Sequence, residues 1–184
     1  MCGIGGIIGD TWEQTQLNAM LNVQHHRGPD DQGIFMDVKG KCGLIHNRLK
    51  IIDLSDSGKQ PMSNSDQSLW IVFNGEIYNF LELKSELSDY KYKNKTDTEV
   101  ILAAYEKWGE NCVDHFIGMF AFAIWEPKKN KLFCARDRLG IKPFYYAIHN
   151  QCFIFSSEIK GILASGHPAV PDMDTWSKYL IEGY

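Results

Sequence analysis

Apolar residues in this chain fall in short runs whose spacing switches between two periods. Residues 3–8 (GIGGII) form a branched apolar run suited to a strand covered on both faces. In 13–24 (EQTQLNAMLNVQ), Leu17, Met20 and Leu21 recur at helical spacing, so a strand followed by an amphipathic helix is the simplest assignment. The same patterning predicts strands at 33–38, 42–46, 69–73, 118–125, 131–136, 144–149 and 152–156. Polar PKKN at 127–130 and HNQ at 149–151 separate apolar runs and predict antiparallel hairpins. Two helices are predicted between the early and late strands, at 80–88 and 97–109. The second carries Val100, Ile101, Ala104, Tyr105 and Trp108 on one face and meets Gly109 as its stop. Strands, then helices, then strands argue for α+β layers built on antiparallel sheets, not for alternating βαβ units. No internal repeat, low-complexity segment or linker interrupts the pattern. A last helical pattern at 172–182 (DMDTWSKYLIE) has an acidic first turn but no settled stop before Gly183 and Tyr184, and predicts a chain that is part of something longer.

Composition narrows the class. With 184 residues, 44% of them hydrophobic, the chain can bury a core of its own as one domain. The net charge is −4, an acidic balance with no excess of Lys and Arg for a phosphate-tracking surface, so nucleic acid is not an expected partner. The longest apolar run, 119–125, is too short to span a bilayer, and the start lacks a signal peptide's basic and apolar segments. A cytoplasmic protein without membrane contact is expected. Cys2, Cys42, Cys112, Cys134 and Cys152 show no C-x-x-C pair and no nearby Cys/His ligand spacing, which points away from a disulfide framework and from a metal site.

Four polar clusters and one cysteine are the candidate chemistry. If Met1 is removed, Cys2 carries a thiol and a free α-amine whose reference pKa values, about 8.5 and about 7.7–8.0, both lie near neutrality. The amine can then accept the thiol proton and return it later, with no histidine required. The plain alternative is a small buried hydrophobe at the start of a strand. Asn74-Gly75, after an apolar run, is a strong signal for a tight hairpin turn; the other reading has the Asn74 amide and the Gly75 N–H converging as oxyanion donors. HHRGPDDQG at 25–33 reads as a polar loop, because adjacent His25 and His26 lack metal-ligand spacing. Arg48 ends an apolar strand, either in solvent or forked onto a carboxylate. In KTDTE, Thr96 or Asp97 is expected to cap the helix, with Glu99 in its first turn.

Taken in order, Met-Cys-Gly-Ile, RGPD at 27–30, HNRLKIID at 46–53, NGEIYN at 74–79, TDTE at 96–99, GMFAFAIW at 118–125, RDRLGIKPFYY at 136–146 and SSEIKGIL at 156–163 resemble the amidotransferase domain of glutamine-hydrolysing asparagine synthetases. The resemblance spans nearly the whole chain. It implies a four-layer αββα sandwich of two antiparallel sheets, the N-terminal-nucleophile hydrolase fold. It also implies glutamine hydrolysis to glutamate and ammonia through a Cys2 thioester, with Asn74 and Gly75 as oxyanion donors. Arg48 then pairs with the glutamine α-carboxylate, Glu76 and Asp97 lie near its α-amine, Ile52 joins the substrate contacts, and Arg27 orders the loop over the site. Residues 1–171 are expected to form this domain. Residues 172–184 lead toward a synthetase domain that uses ATP and Mg2+ to turn aspartate into asparagine, in a protein of homodimeric type; the glutaminase half needs no cofactor. With Met1 retained, the amine is not on Cys2 and that form is expected to be inactive. Two other readings stay open: the same half-reaction feeding sugar or peptide amidation, and a non-catalytic glutamine-binding domain.

Overall fold

In the computed structural model, residues 1–37, 39, 41–50 and 56–183 are described. The predicted first strand is β1 (Gly3–Ile8), followed by α1 (Gln14–Val23), which buries the anticipated Leu17, Met20 and Leu21. Then come β2 (Asp31–Met36), β3 (Cys42–Arg48), the two-residue β4 (Met62–Ser63) and β5 (Trp70–Ile77). Two helices follow, α2 (Phe80–Glu86) and α3 (Asp97–Trp108). The Thr96 side chain caps α3 by accepting the Glu99 N–H, and Gly109 ends it at φ 59°. The later elements are β6 (Gly118–Glu126), β7 (Lys131–Arg136), β8 (Tyr145–His149), β9 (Cys152–Ser156), α4 (Ile159–Ala164) and α5 (Met173–Glu182).

Two antiparallel sheets result, in the orders β2-β3-β1-β9-β8 and β4-β5-β6-β7. Side-chain alternation explains their stacking. Even-numbered Ile4, Cys42, Leu44 and Val72 face inward with Ala123, Trp125 and Phe155 to form the core between the sheets. Odd-numbered Ile7 and Ile45 pack under Leu17, Met20 and Ile162 of α1 and α4, while Ile71 and Phe73 pack under Val100, Ile101 and Ala104 of α3. The outcome is helix, sheet, sheet, helix. Both predicted hairpins form: Asn130 turns at φ 50° between β6 and β7, and Asn150 and Gln151, at φ 49° and 62°, join β8 to β9. No buried residue belongs to α5, and among the described residues no helix is long and apolar enough to cross a membrane.

Asn74-Gly75 does not turn. Both residues lie inside β5, with Asn74 opposite Ala121 and Gly75 opposite Phe120, because β6 offers a partner for every residue from Trp70 to Ile77. Pairing with a distant strand overrides the local turn preference. It also leaves no room for a side chain at position 75, where a Cβ would run into the Met119 carbonyl and the Phe120 backbone.

Candidate active site

β1 lies at the centre of the first sheet, so the residue before it is delivered to the sheet's end, beside the last residues of β3 (Gly3 opposite Asn47). There the half-buried Cys2 Sγ accepts the Leu49 N–H at 3.4 Å. The segment after β9 holds this N-terminus in place. Ser157 N–H donates to the Ile4 carbonyl at 2.9 Å, and Ile4 N–H donates to Ser157 Oγ at 2.9 Å. Arg27 Nε donates to the Cys2 carbonyl at 2.9 Å while its Nη1 meets Glu158 at 3.1 Å. Burial alone would raise the Glu158 pKa, but hydrogen bonds from His26, Lys160 and Arg27 outweigh it and hold the carboxyl at about 2.

In front of the thiol is a cavity of about 80 Å³ whose lining includes Cys2, His46, Arg48, Gln60, Gly75 and Asp97. Alternation places the polar groups. On β3 the inward parity of Cys42 and Leu44 continues to His46 and Arg48, and on β5 the parity of Val72 continues to Asn74 and Glu76. Arg48 is only 6% exposed, and a Cβ on Gly58 would collide with its guanidinium, so glycine there lets the chain pass against the arginine. Asp97 opens α3, and its Oδ2 accepts the Ile77 N–H at 3.0 Å. Asn74, 2% exposed, has an Nδ2 with no hydrogen-bond partner. An unpaired buried amide of this kind costs about 1–3 kcal/mol unless a ligand supplies the acceptor.

Charge is arranged around the thiol. Burial pushes the Cys2 pKa up, and the Leu49 N–H, the chain-terminal ammonium, Arg48 and Arg27 pull part of the way back. The thiol therefore rests protonated and needs a base to become nucleophilic. Burial raises Asp97 to about 6, against hydrogen bonds from Ile77 and Thr98 N–H and with help from nearby Glu76. His46 is held down to about 4, first by burial, so its ring is neutral near pH 7.

Of the residues singled out from sequence, Cys2, Arg48, Gly75 and Asp97 share the cavity. Arg27 touches the Cys2 backbone from behind, Glu76 sits beside Asp97, and Asn74 faces inward next to Gly75 without lining the cavity. Ile52 lies outside the described residues. The plain readings of Arg48 as a solvent-facing strand end and of residues 25–33 as only a polar loop do not hold, since Arg48 is buried and Arg27 anchors Cys2. His46, Gln60 and Thr98 were missed. His46 was within reach, two residues from Arg48 on the same strand face; Gln60, in an irregular segment, carried no signal. Among the described residues, no group of three or more His, Cys, Asp or Glu side chains converges as a metal site would.

All of the chain, residues 1–184, matches the family model described as a glutamine amidotransferase domain. It is 50% identical over 182 residues to the protein named "Putative asparagine synthetase (glutamine-hydrolyzing) 2" of Methanocaldococcus jannaschii, covering 89% of this chain and 35% of that protein. Asparagine synthetase (glutamine-hydrolyzing) 2 of Bacillus subtilis is 42% identical over 98% of this chain and 24% of its own length. This chain therefore spans about a third or less of the length of these relatives. The glutamine phosphoribosylpyrophosphate amidotransferase of B. subtilis, solved with ADP and GMP, superposes with a TM-score of 0.75 at 20% identity, over 90% of this chain and 44% of that one, a likeness of fold. The N-terminal thiol beside a buried arginine and a buried carboxylate thus sits on a chain that belongs, over its whole length, to the glutamine amidotransferase domain family.

Proposed function

We propose that Cys2, freed of Met1, is the nucleophile of a glutaminase site. The carrying observation is that one small cavity joins the thiol to a buried cation and a buried carboxylate, the two charges needed to read a free amino acid. In this reading the Arg48 guanidinium takes the glutamine α-carboxylate, and Asp97 with Glu76 takes the α-ammonium, which leaves the side-chain amide aimed at Sγ. The Cys2 α-amine accepts the thiol proton as sulfur adds to the amide carbon. The carbonyl π pair moves onto oxygen, where Asn74 Nδ2 and the Gly75 N–H donate to it. Collapse of this intermediate breaks the C–N bond, and the ammonium returns its proton to the departing ammonia. Water then cleaves the thioester to glutamate, restoring the thiol.

The synthetase relatives support a destination for the ammonia: amidation of aspartate by a synthetase domain beyond residues 1–171, with α5 in the lead-in and ATP and Mg2+ acting outside this chain. A cytoplasmic homodimer is the corresponding whole protein. A relative named Amidase chry2, of Gibberella zeae, is 37% identical over 90% of this chain and 27% of its own length. Not every relative carries an asparagine synthetase name, so the same half-reaction feeding another acceptor is the second reading.

A glutamine analogue with an electrophilic carbonyl in the side chain tests the nucleophile. Its mass is expected on the N-terminal peptide of the Met1-processed chain, and modification at Cys42, Cys112, Cys134 or Cys152 instead would refute the assignment. Acid titration checks the ammonium contact. Because the free α-amine, with a reference pKa of about 7.7–8.0, must be neutral to act as base, kcat/KM for glutamine is expected to fall about tenfold per pH unit below about 8. The fall is expected to steepen to about a hundredfold per unit below about 6, where Asp97 also loses its charge. The sign for folding is opposite: a raised carboxyl pKa favours the fold below the unfolded value and costs stability as pH rises through about 6. Asp97→Asn should therefore melt at higher temperature at pH 7 while its glutamine KM rises; a lower melting temperature would contradict this.

A further inference from the structure

In an antiparallel sheet each residue turns its N–H and C=O toward one neighbouring strand, and the side alternates along the chain. Phe120 spends both groups on Asp137, donating to Oδ2 at 3.2 Å and accepting from the backbone N–H at 2.8 Å, so its facing residue Gly75 does not bond to β6. By the same parity, residues 71, 73, 75 and 77 of β5 present their backbone groups to the opposite edge. β4 covers that edge only at Trp70 and Ile71. Past it, among the described residues, side chains stand where a strand would. Gln60 Oε1 accepts the Phe73 N–H at 2.7 Å, and His46 Nε2 lies 3.2 Å from the Phe73 carbonyl. At the far end Asp97 takes the Ile77 N–H. Gly75, whose N–H lies on this same edge by parity, comes between these stand-ins and lines the Cys2 cavity.

We infer that Gln60 and His46 are positioning residues that replace the missing strand at Phe73 and so fix Asn74 and Gly75 as donors to the reacting oxygen. This rests on the reading of those two residues given above. A continuous strand along this edge would also consume the Gly75 N–H. Side chains satisfy Phe73 alone, meet the demand that buried backbone groups be paired, and leave the next outward donor open. The Gln60 clamp is itself held. Gln60 Nε2 donates to Thr98 Oγ1 at 3.2 Å, which ties it to the helix start that carries Asp97. The Phe73 carbonyl can only accept, so His46 donates from Nε2–H and its buried Nδ1, which has no partner, carries the lone pair. That carbonyl belongs to the peptide group joining Phe73 to Asn74, so a swing of this plane moves both donors.

The test compares Gln60→Leu, His46→Leu and His46→Gln in the Met1-processed chain, with folding followed by thermal melts. Gln60→Leu and His46→Leu are expected to lower kcat for glutamine hydrolysis about 10–100-fold while KM stays within about twofold. His46→Gln, whose amide can donate from nearly the same place, should recover most of the loss. Alkylation of Cys2 by iodoacetamide forms no oxyanion and is expected to keep the unmodified chain's rate. The γ-aldehyde analogue of glutamine, whose thiol adduct does place an oxygen between the donors, should bind more weakly in step with kcat. An unchanged kcat, an alkylation rate that falls with kcat, or a rise in KM alone would each overturn the clamp. If a Leu variant fails to fold, the remaining Leu variant and His46→Gln decide the matter by the same readouts. Absence of glutamine hydrolysis by the processed parent chain would instead overturn the glutaminase reading itself.

Discussion

Cys2→Ala is expected to lower glutamine hydrolysis by the Met1-processed chain at least about 10⁴-fold, with ammonia release as the measure. No other thiol can take over: Cys42, Cys112 and Cys152 are buried, and neither they nor Cys134 line the cavity. Folding should be nearly unaffected, because the Cys2 side chain is half-buried and its hydrogen-bonding contacts are the weak sulfur contacts to Leu49. Arg27, which grips the Cys2 carbonyl, keeps its hold in the variant. Retention of Met1 should silence the site as fully as the substitution does, since the α-amine is then one residue away from the thiol. Glutamine hydrolysis by Cys2→Ala at the parent rate would end the thioester mechanism.

Asn74→Ala carries the next largest effect, a loss of about 10²–10³ in kcat with little change in KM. The reason is the unpaired Nδ2. In the resting protein nothing accepts from it, so its removal gives up no ground-state hydrogen bond and relieves an unsatisfied buried donor. The donor is used only when negative charge develops on the substrate oxygen. Steady-state kinetics with glutamine, set beside a thermal melt, make the check: a higher KM at constant kcat, or a large loss of stability, would assign Asn74 to substrate binding or to the fold instead. This signature differs from that of Asp97→Asn, whose cost falls on KM.

Much of the architecture was legible because local pattern and tertiary environment agree. Leu17, Met20 and Leu21 mark α1, Thr96 and Gly109 bracket α3, and the polar breaks at 127–130 and 149–151 are hairpins. Legibility failed where a partner distant in sequence decided the conformation. Asn74-Gly75 has the composition of a turn, but β6 pairs through it; β4 and α4 are too short for their periodicity to register. At the site, the charged and nucleophilic residue types stood out in sequence. Gln60 did not, because its role depends on contact with Phe73 and Thr98, and its chain segment has no repeat to read.

By itself, the sequence determined the alternation that turns Arg48 and Asn74 to one side of their strands, a thiol one bond from the chain start, and a capped helix beginning with an acid. Only the tertiary structure decided that these meet. Stacking the two sheets buries Arg48 and Asp97 beside Cys2 and shifts their surroundings from water to protein. The short β4 leaves the edge of β5 open, so that Gly75 lines the same cavity as the thiol with its backbone N–H not spent on a neighbouring strand. Period and propensity are properties of neighbouring residues, whereas desolvation and unpaired edges arise only when distant segments pack.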